Sequence, residues 1–350
     1  MPHFGERLKS ARRIKGWSLQ DLANYAAHAV SKQALSKYET EAMMPSRKIL
    51  LLLCTALDVT PNYFETQPVF KLPVFELRKN TLPVKQAESI KEKVKRAMEL
   101  YLQTENLLNI KTRFSNPIRP IPVPDEEAAA DIADKLRDKW DLGRGALHNV
   151  IGMLENRGIR VIQVTSPAIF DGVSTYVGRA PVIVLHEERP ADIKRYAAMY
   201  ELGQLLLNIP ENADRHKLCE IFARTMLLPG DTLGILLSYK RQAISPGELL
   251  CVKEQYGLPM QAVMHQAIFK GIIDKKNAQP FFKLIADNKD ETGLGNYMGT
   301  EKNYRFDRML GRLVIEEIID LEKALELTGM SAEELQKKVE LFEPAPQEAV

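Results

Sequence analysis

Cysteine is scarce: only Cys54, Cys219 and Cys251 occur in 350 residues. Their number is odd, they lie far apart among apolar neighbours, and no C-x-x-C spacing occurs, which excludes a disulfide framework or a cysteine-based zinc site. All three are expected to be buried free thiols in a reducing compartment. Long hydrophobic runs are missing too. The longest, Ile49 to Cys54, is too short to span a bilayer, and the N-terminus begins with charged residues, so a cytoplasmic protein without membrane contact is expected. A strong charge of one sign is absent, the net charge being +2, so any basic surface must be local. Met1 to Thr66 carries nine Lys/Arg against six Asp/Glu, an excess that suits a phosphate backbone and equally suits a solvated surface. Neither an internal repeat nor a low-complexity tract is present.

The length allows more than one hydrophobic core. The periodicities predict a mainly α protein with a small β-sheet, an α+β fold. In the first segment Phe4, Leu8 and Ala11 recur at helical spacing, Gly16 breaks the pattern, and Ser18 with Asp21 resembles a capping box. Ser31 can cap a helix to Glu39, Pro45-Ser46 precede one over Arg47 to Leu57, and Thr60-Pro61 opens a last short turn. Val74 to Leu77 reads as a strand or docked linker. Lys85 to Ile110 reads as one long helix whose Ala87, Ile90, Val94, Ala97, Tyr101, Thr104 and Leu108 form a seam, for packing on its own chain or for a dimer. After the proline-rich break Pro117 to Pro124, helices are expected over Glu126 to Trp140 and His148 to Gly158. Strands follow over Ile159 to Val164, Val173 to Val177 and Val182 to His186. Further helices cover Asp192 to Leu207, Arg215 to Leu228, Pro246 to Tyr256, Met260 to Gly271 and the stretch Arg305 to Val339, before a frayed tail from Pro344.

On the helix Ser31 to Glu39, Leu35 and Tyr38 can face inward, leaving Lys32, Gln33, Ser36 and Lys37 on the opposite face. That face offers an amide for a bidentate pair with adenine, hydroxyls, and cations for phosphates. Such a face is common on short helices, and the wider segment narrows the choice. RLKSARRIKGWS (Arg7 to Ser18), DLA (Asp21 to Ala23), VSKQALSKYE (Val30 to Glu39) and Pro45 to Val59 resemble the XRE-type, lambda-repressor-like helix-turn-helix family. The resemblance implies that Gln33 reads a base and that Ser31, Lys32, Ser36 and Lys37 are neighbouring contacts. It also implies that Arg12 and Glu39 form a structural ion pair. Leu19 departs from the glutamine usual early in the motif's first helix, and the turn Asn24 to Ala29 is about two residues longer than usual.

In RYAAMYELGQLLLN (Arg195 to Asn208) the i, i+4 spacing matches the zinc motif H-E-x-x-H, in which two imidazoles on one helix face hold the ion and the glutamate acts as base. Here Tyr200 and Gln204 occupy the ligand positions and Glu201 that of the base. Together with Glu76 to Val94, Glu126 to Gly143, Leu154 to Val164, FDGVS (Phe170 to Ser174), FARTMLLP (Phe222 to Pro229) and Val252 to Ile273, the run resembles the ImmA/IrrE metallopeptidase family. That resemblance implies a zincin-like domain whose third ligand position falls at Leu218. A phenol, an amide and an isobutyl group form no zinc site, so no metal, no cofactor and a catalytically silent, vestigial Glu201 are expected. His216, turned about 200° around its helix from Leu218, is not expected to reach the site, and a lone His186 is expected to be structural.

These readings divide the chain into a helix-turn-helix domain (1–67), a linker with the long helix (68–124), a pseudo-peptidase domain (125–240) and a helical C-terminal region (241–350). The function they imply is a sequence-specific, dimeric transcriptional regulator. Two recognition helices about 34 Å apart would bind a pseudo-palindromic operator in double-stranded DNA, and the silent domain would sense a small effector, dimerise or bind a protein partner. Two alternatives remain at this stage: an active peptidase cleaving a repressor through a non-standard site, and an antitoxin or phage-system repressor working by protein–protein binding.

Overall fold

The computed structural model describes residues 3–26, 28–65, 83–166 and 170–342. The expected strand or linker at Val74 to Leu77 and the tail from Pro344 lie outside the described residues. The protein is mainly α-helical with a small three-stranded sheet. In chain order the elements are α1 (Phe4–Ile14), α2 (Leu19–Tyr25), α3 (Lys32–Glu39), α4 (Arg47–Leu57), a 3-10 turn (Pro61–Phe64), α5 (Val84–Leu107), α6 (Glu126–Lys139), α7 (Val150–Asn156), β1 (Arg160–Val164), β2 (Gly172–Val177), β3 (Ala180–His186), α8 (Ala191–Leu206), α9 (Arg215–Leu227), α10 (Gly230–Leu237), α11 (Pro246–Tyr256), α12 (Met260–Phe269), α13 (Lys275–Leu284), α14 (Tyr304–Ile315), α15 (Leu321–Thr328) and α16 (Ala332–Glu340). The chain divides into two compact units. The first takes in the described residues up to Thr112 and again from Tyr304, with Ser166; the second takes in the rest, from Arg113 to Asn303.

In the first unit, short helices start where a side chain satisfies their first free N–H groups. Ser18 and Asp21 form a reciprocal capping box on α2, Ser31 caps α3 through Ala34 N, and Ser46 caps α4 through Ile49 N. Phe4, Leu8 and Ala11 turn inward with Leu22, Leu35, Leu53, Leu57 and Phe64 to build one core. The seam of α5 is filled by its own chain. Ile90, Val94, Met98, Tyr101 and Thr104 are buried. Against α1, Glu99 accepts from Arg7 (2.6 Å), Glu92 from Ser10 (2.6 Å), and Ser89 donates to the Ile14 carbonyl (2.8 Å). Against α14, Tyr101 meets Phe306 and Glu105 meets Arg305. The stretch Arg305 to Val339 is three helices, broken at Glu317 (φ 55°) and Gly329 (φ 70°) and restarted by Asp320 and Ser331 caps.

In the second unit β3 is the middle strand, parallel to β1 and antiparallel to β2, with Ile162 opposite Val184 and Ser174 opposite Ile183. As a central strand it is buried from Pro181 to His186, which is why it reads as an unbroken apolar run. Helices α6, α8 and α9 supply Ala133, Leu136, Ala198, Leu202, Phe222 and Met226 to the same core. Fully buried Arg137 ties this core together, donating to the carbonyls of Gly143 (2.8 Å), Gly145 (2.8 Å) and Met226. Burial with no carboxylate bonded to it pushes its pKa down to about 10, so it remains charged at neutral pH. Two helices went unpredicted: α10, hidden by Pro229-Gly230, and α13, which contains Pro280. One expectation fails at Cys251, which is exposed, while Cys54 and Cys219 are buried. Its sequence neighbours are apolar, but successive residues turn about 100° around a helix, so Leu249, Val252 and Tyr256 face the core and Cys251 does not.

Candidate nucleic-acid interface and the helix of Tyr200, Glu201 and Gln204

The α2–α3 pair is built as a scaffold that presents one face of α3. Leu35 and Tyr38 are buried, whereas Ser31, Lys32, Gln33, Ser36 and Lys37 are all exposed. At about 100° per residue, the last four span an arc of about 140° on the side away from Leu35. Gln33 therefore offers its amide to solvent between two cations, at the N-terminal end of the helix where the dipole favours phosphate. Arg12 holds the other end. Its guanidinium makes a bidentate pair with Glu39 (2.6 and 2.9 Å) and donates to the Trp17 carbonyl (2.6 Å). The pair is spent on joining α1 to the end of α3 and takes no part in the exposed face. Leu19 is partly buried and packs against the core. In the long turn, His28 takes the left-handed conformation (φ 57°).

Gly5 was invisible to sequence reasoning. A Cβ on it would lie 2.8 Å from the carbonyl carbon of Glu39, and its N–H donates to the Glu41 carboxylate (3.1 Å). Glycine is required because α1 passes directly over the end of α3. A glycine beside Phe4, at the inward face of an otherwise ordinary helix, is the signal that could have revealed it.

In the second unit Tyr200, Glu201 and Gln204 lie on α8, with Leu218 on the facing α9. The helices run close at Gly203, where a Cβ would stand 3.1 Å from the Phe222 ring and 3.4 Å from Cys219. Tyr200 (5% exposed) accepts a 2.9 Å hydrogen bond from the Gln204 amide, so the phenol and the amide satisfy one another. Glu201 (3% exposed) accepts from the Ser174 hydroxyl of β2 at 2.6 Å. Leu218 is packed in the core. No donor set for a divalent cation results: two neutral polar groups bonded to each other, a hydrocarbon, and a carboxylate already held by a serine. Among the described residues, no group of three or more His, Cys, Asp or Glu side chains could hold a metal ion.

His216 comes closer than its helical angle suggests, its ring standing edge-on to that of Tyr200 at 5.5 Å. The angle fixes only where Cβ leaves its own helix; with α8 and α9 in close contact, the imidazole arm spans the remainder. It stays largely exposed and faces Glu220 across 3.7 Å. His186 is buried against Phe170 and accepts from the Glu188 N–H (3.2 Å), a structural role. Sequence reasoning also missed Arg195. This fully buried residue of α8 donates to Glu301 (2.5 Å) and to the carbonyls of Leu147 (2.6 Å) and Tyr256 (3.0 Å). Its partner lies 106 residues away, in a stretch with no periodicity to mark it.

Among the described residues no helix is long and apolar enough to cross a membrane. No curated protein and no solved structure matches the chain. The helix-turn-helix family model matches residues 8–64, the segment that carries α2, α3 and the exposed face of α3, and this supports a DNA-binding regulator.

Proposed function

We propose that the protein is a sequence-specific transcriptional regulator that binds a pseudo-palindromic operator as a homodimer. Residues 1–67 would form the DNA-reading domain, with Gln33 as base reader and Ser31, Lys32, Ser36 and Lys37 as contacts to neighbouring bases and phosphates. The observation that carries this reading is the set of five exposed side chains on and just before α3, inside the matched helix-turn-helix segment. In vitro selection of bound DNA with the full-length protein tests it. An enriched motif with two-fold symmetry is expected, and equal retention of all sequences at every salt concentration refutes it.

The segment 125–240 is proposed to be an ImmA/IrrE-like peptidase module that no longer hydrolyses peptides and serves sensing, dimerisation or partner binding; residues 68–124 would connect it and 241–350 would complete the helical C-terminal region. Support comes from the Tyr200–Gln204 bond and the Ser174–Glu201 bond, which engage the two groups at the ligand positions with each other and the carboxylate at the base position with a serine. Because the α5 seam is covered by α1 and α14, the dimer contact is sought elsewhere on the surface. Zinc titration should show no saturable one-to-one uptake; uptake abolished by Gln204→Ala would overturn the silent-module reading.

A further inference from the structure

In the second unit Arg137 and Arg195, both fully buried, are met by acceptors: three carbonyls for the first, Glu301 and backbone carbonyls for the second. Arg224, on α9, is not. It is only 7% exposed, yet its Nε is shut off from solvent without a hydrogen-bond partner. Among the described residues its one ion-pair neighbour is Glu220, one turn back at 3.9 Å, beyond hydrogen-bond reach. Glu220 is itself partly exposed and also faces His216 across 3.7 Å. The negative end of the α9 dipole favours a cation in the last turn but accepts no side-chain N–H. A nearly buried guanidinium whose donors go unanswered costs stability until an acceptor reaches it.

Two neighbouring helices bring further donors to the same place. α9 and α12 meet at Thr225 and Gln266, joined by a 3.2 Å hydrogen bond, and these are the chain neighbours of Arg224 and His265. The His265 ring lies against Phe282 of α13, with 4.8 Å between centroids, and Lys275 opens α13. His265 keeps an edge open to solvent; desolvation first, and then the charges of Arg224 and Lys275, hold its pKa below the ordinary 6.5. The imidazole is therefore neutral at pH 7, with one N–H to donate. We propose that Arg224, flanked by Lys275 and His265, binds the oxyanion group of a small molecule, a phosphate or a carboxylate, on the α9–α12–α13 face of the second unit. The guanidinium fork suits two oxygens of one such group, and Lys275 adds a second positive charge. The 9% of the Arg224 side chain that stays exposed gives the anion its approach. Glu220 opposes the anion by its own charge, so neutralising it should tighten binding. The inference stands on the second unit alone and does not depend on DNA binding.

The test titrates full-length protein with sodium phosphate and, separately, with sodium acetate, against sodium chloride at the same ionic strength. Saturable binding is expected in titration calorimetry, with a matching rise in the melting temperature of the second unit, followed by Trp140 fluorescence in a Trp17→Phe background. Saturation by phosphate alone assigns a phosphoryl ligand, by acetate alone a carboxylate, and by both an oxyanion of either kind. Arg224→Met should weaken binding about tenfold or more and Lys275→Ala about threefold, whereas Glu220→Gln should tighten it about threefold. In chloride, Arg224→Met should melt at or above the wild-type temperature, because it removes an unanswered buried charge. A purely structural arginine would give the opposite. The proposal is overturned if neither anion saturates beyond the chloride control, or if Arg224→Met binds as tightly as the wild type. It is equally overturned if Arg224→Met melts well below the wild type in chloride, or if Lys275→Ala and Glu220→Gln both leave the affinity unchanged.

Discussion

Replacing Arg12 by Met tests how α3 is held. Arg12 and Glu39 are 11% and 9% exposed, so their pair is little screened by water. Arg12→Met removes two bonds to the carboxylate and one to the Trp17 carbonyl, leaving Glu39 charged and nearly buried. Removing one partner of such a pair costs about 3 kcal/mol or somewhat more. Arg12→Met with Glu39→Leu strands only the Trp17 carbonyl and should cost about 1 kcal/mol, about 2 kcal/mol less than Arg12→Met alone and well below the sum of the two single variants. For a unit of this size the single change lowers the melting temperature by roughly 6–12 °C. The two tryptophans fall one in each unit, Trp17 in the first and Trp140 in the second. Thermal melts followed by fluorescence in a Trp140→Phe background therefore report on the first unit alone. A single-variant loss under about 1 kcal/mol, or a double variant equal to the sum of the two singles, refutes the reasoning.

Gln33→Ala should cost about 1–3 kcal/mol of binding and relax preference at one base pair, whereas Lys37→Ala should weaken binding to all sequences and flatten the salt dependence, both read by titration across salt concentrations. Gly5→Ala forces a methyl group against the Glu39 backbone and should destabilise the first unit by about 2–3 kcal/mol in a denaturant melt, while the same change at Gly16, where a Cβ meets nothing within 4 Å but φ is 72°, should cost about 1 kcal/mol. Hydrogen bonds from the Ser18 hydroxyl and amide hold the Asp21 carboxyl below its ordinary value of 3.8. A depressed carboxylate stabilises the fold above that ordinary value and loses its contribution as pH falls through the folded value. The difference in melting temperature between wild type and Asp21→Asn should thus be present at pH 7 and vanish in strong acid; a constant difference across that range counts against the capping box as its source.

Much of the architecture could be read from residues acting over one or two turns. Caps at Ser18, Ser31 and Ser46, the i, i+4 and i, i+7 apolar positions of α1, and the apolar runs of β1 and β3 are local signals, and the helices and strands begin within a residue or two of where these signals put them. The outward set on α3 was legible for the same reason, because Leu35 and Tyr38 mark the inward side. Proline and glycine pulled the reading astray at α10 and α13, where packing of Leu233 and Phe281 into the core outweighs a weak helical signal.

The amino-acid order by itself determined which side chains could carry chemistry: an amide and cations on one short helix, and a phenol and an amide at i, i+4 spacing with a carboxylate between them on another. Tertiary structure alone decided who holds whom. Glu201 bonds Ser174 across 27 residues, Arg7 finds Glu99 across 92, and Arg195 finds Glu301 across 106. The α5 seam likewise faces its own chain because α1 and α14 reach it in the folded molecule. The physical reason is range: caps and periodicities act over a few residues of backbone, whereas a buried ion pair is specified by the convergence of distant elements and has no local trace beyond the charge itself.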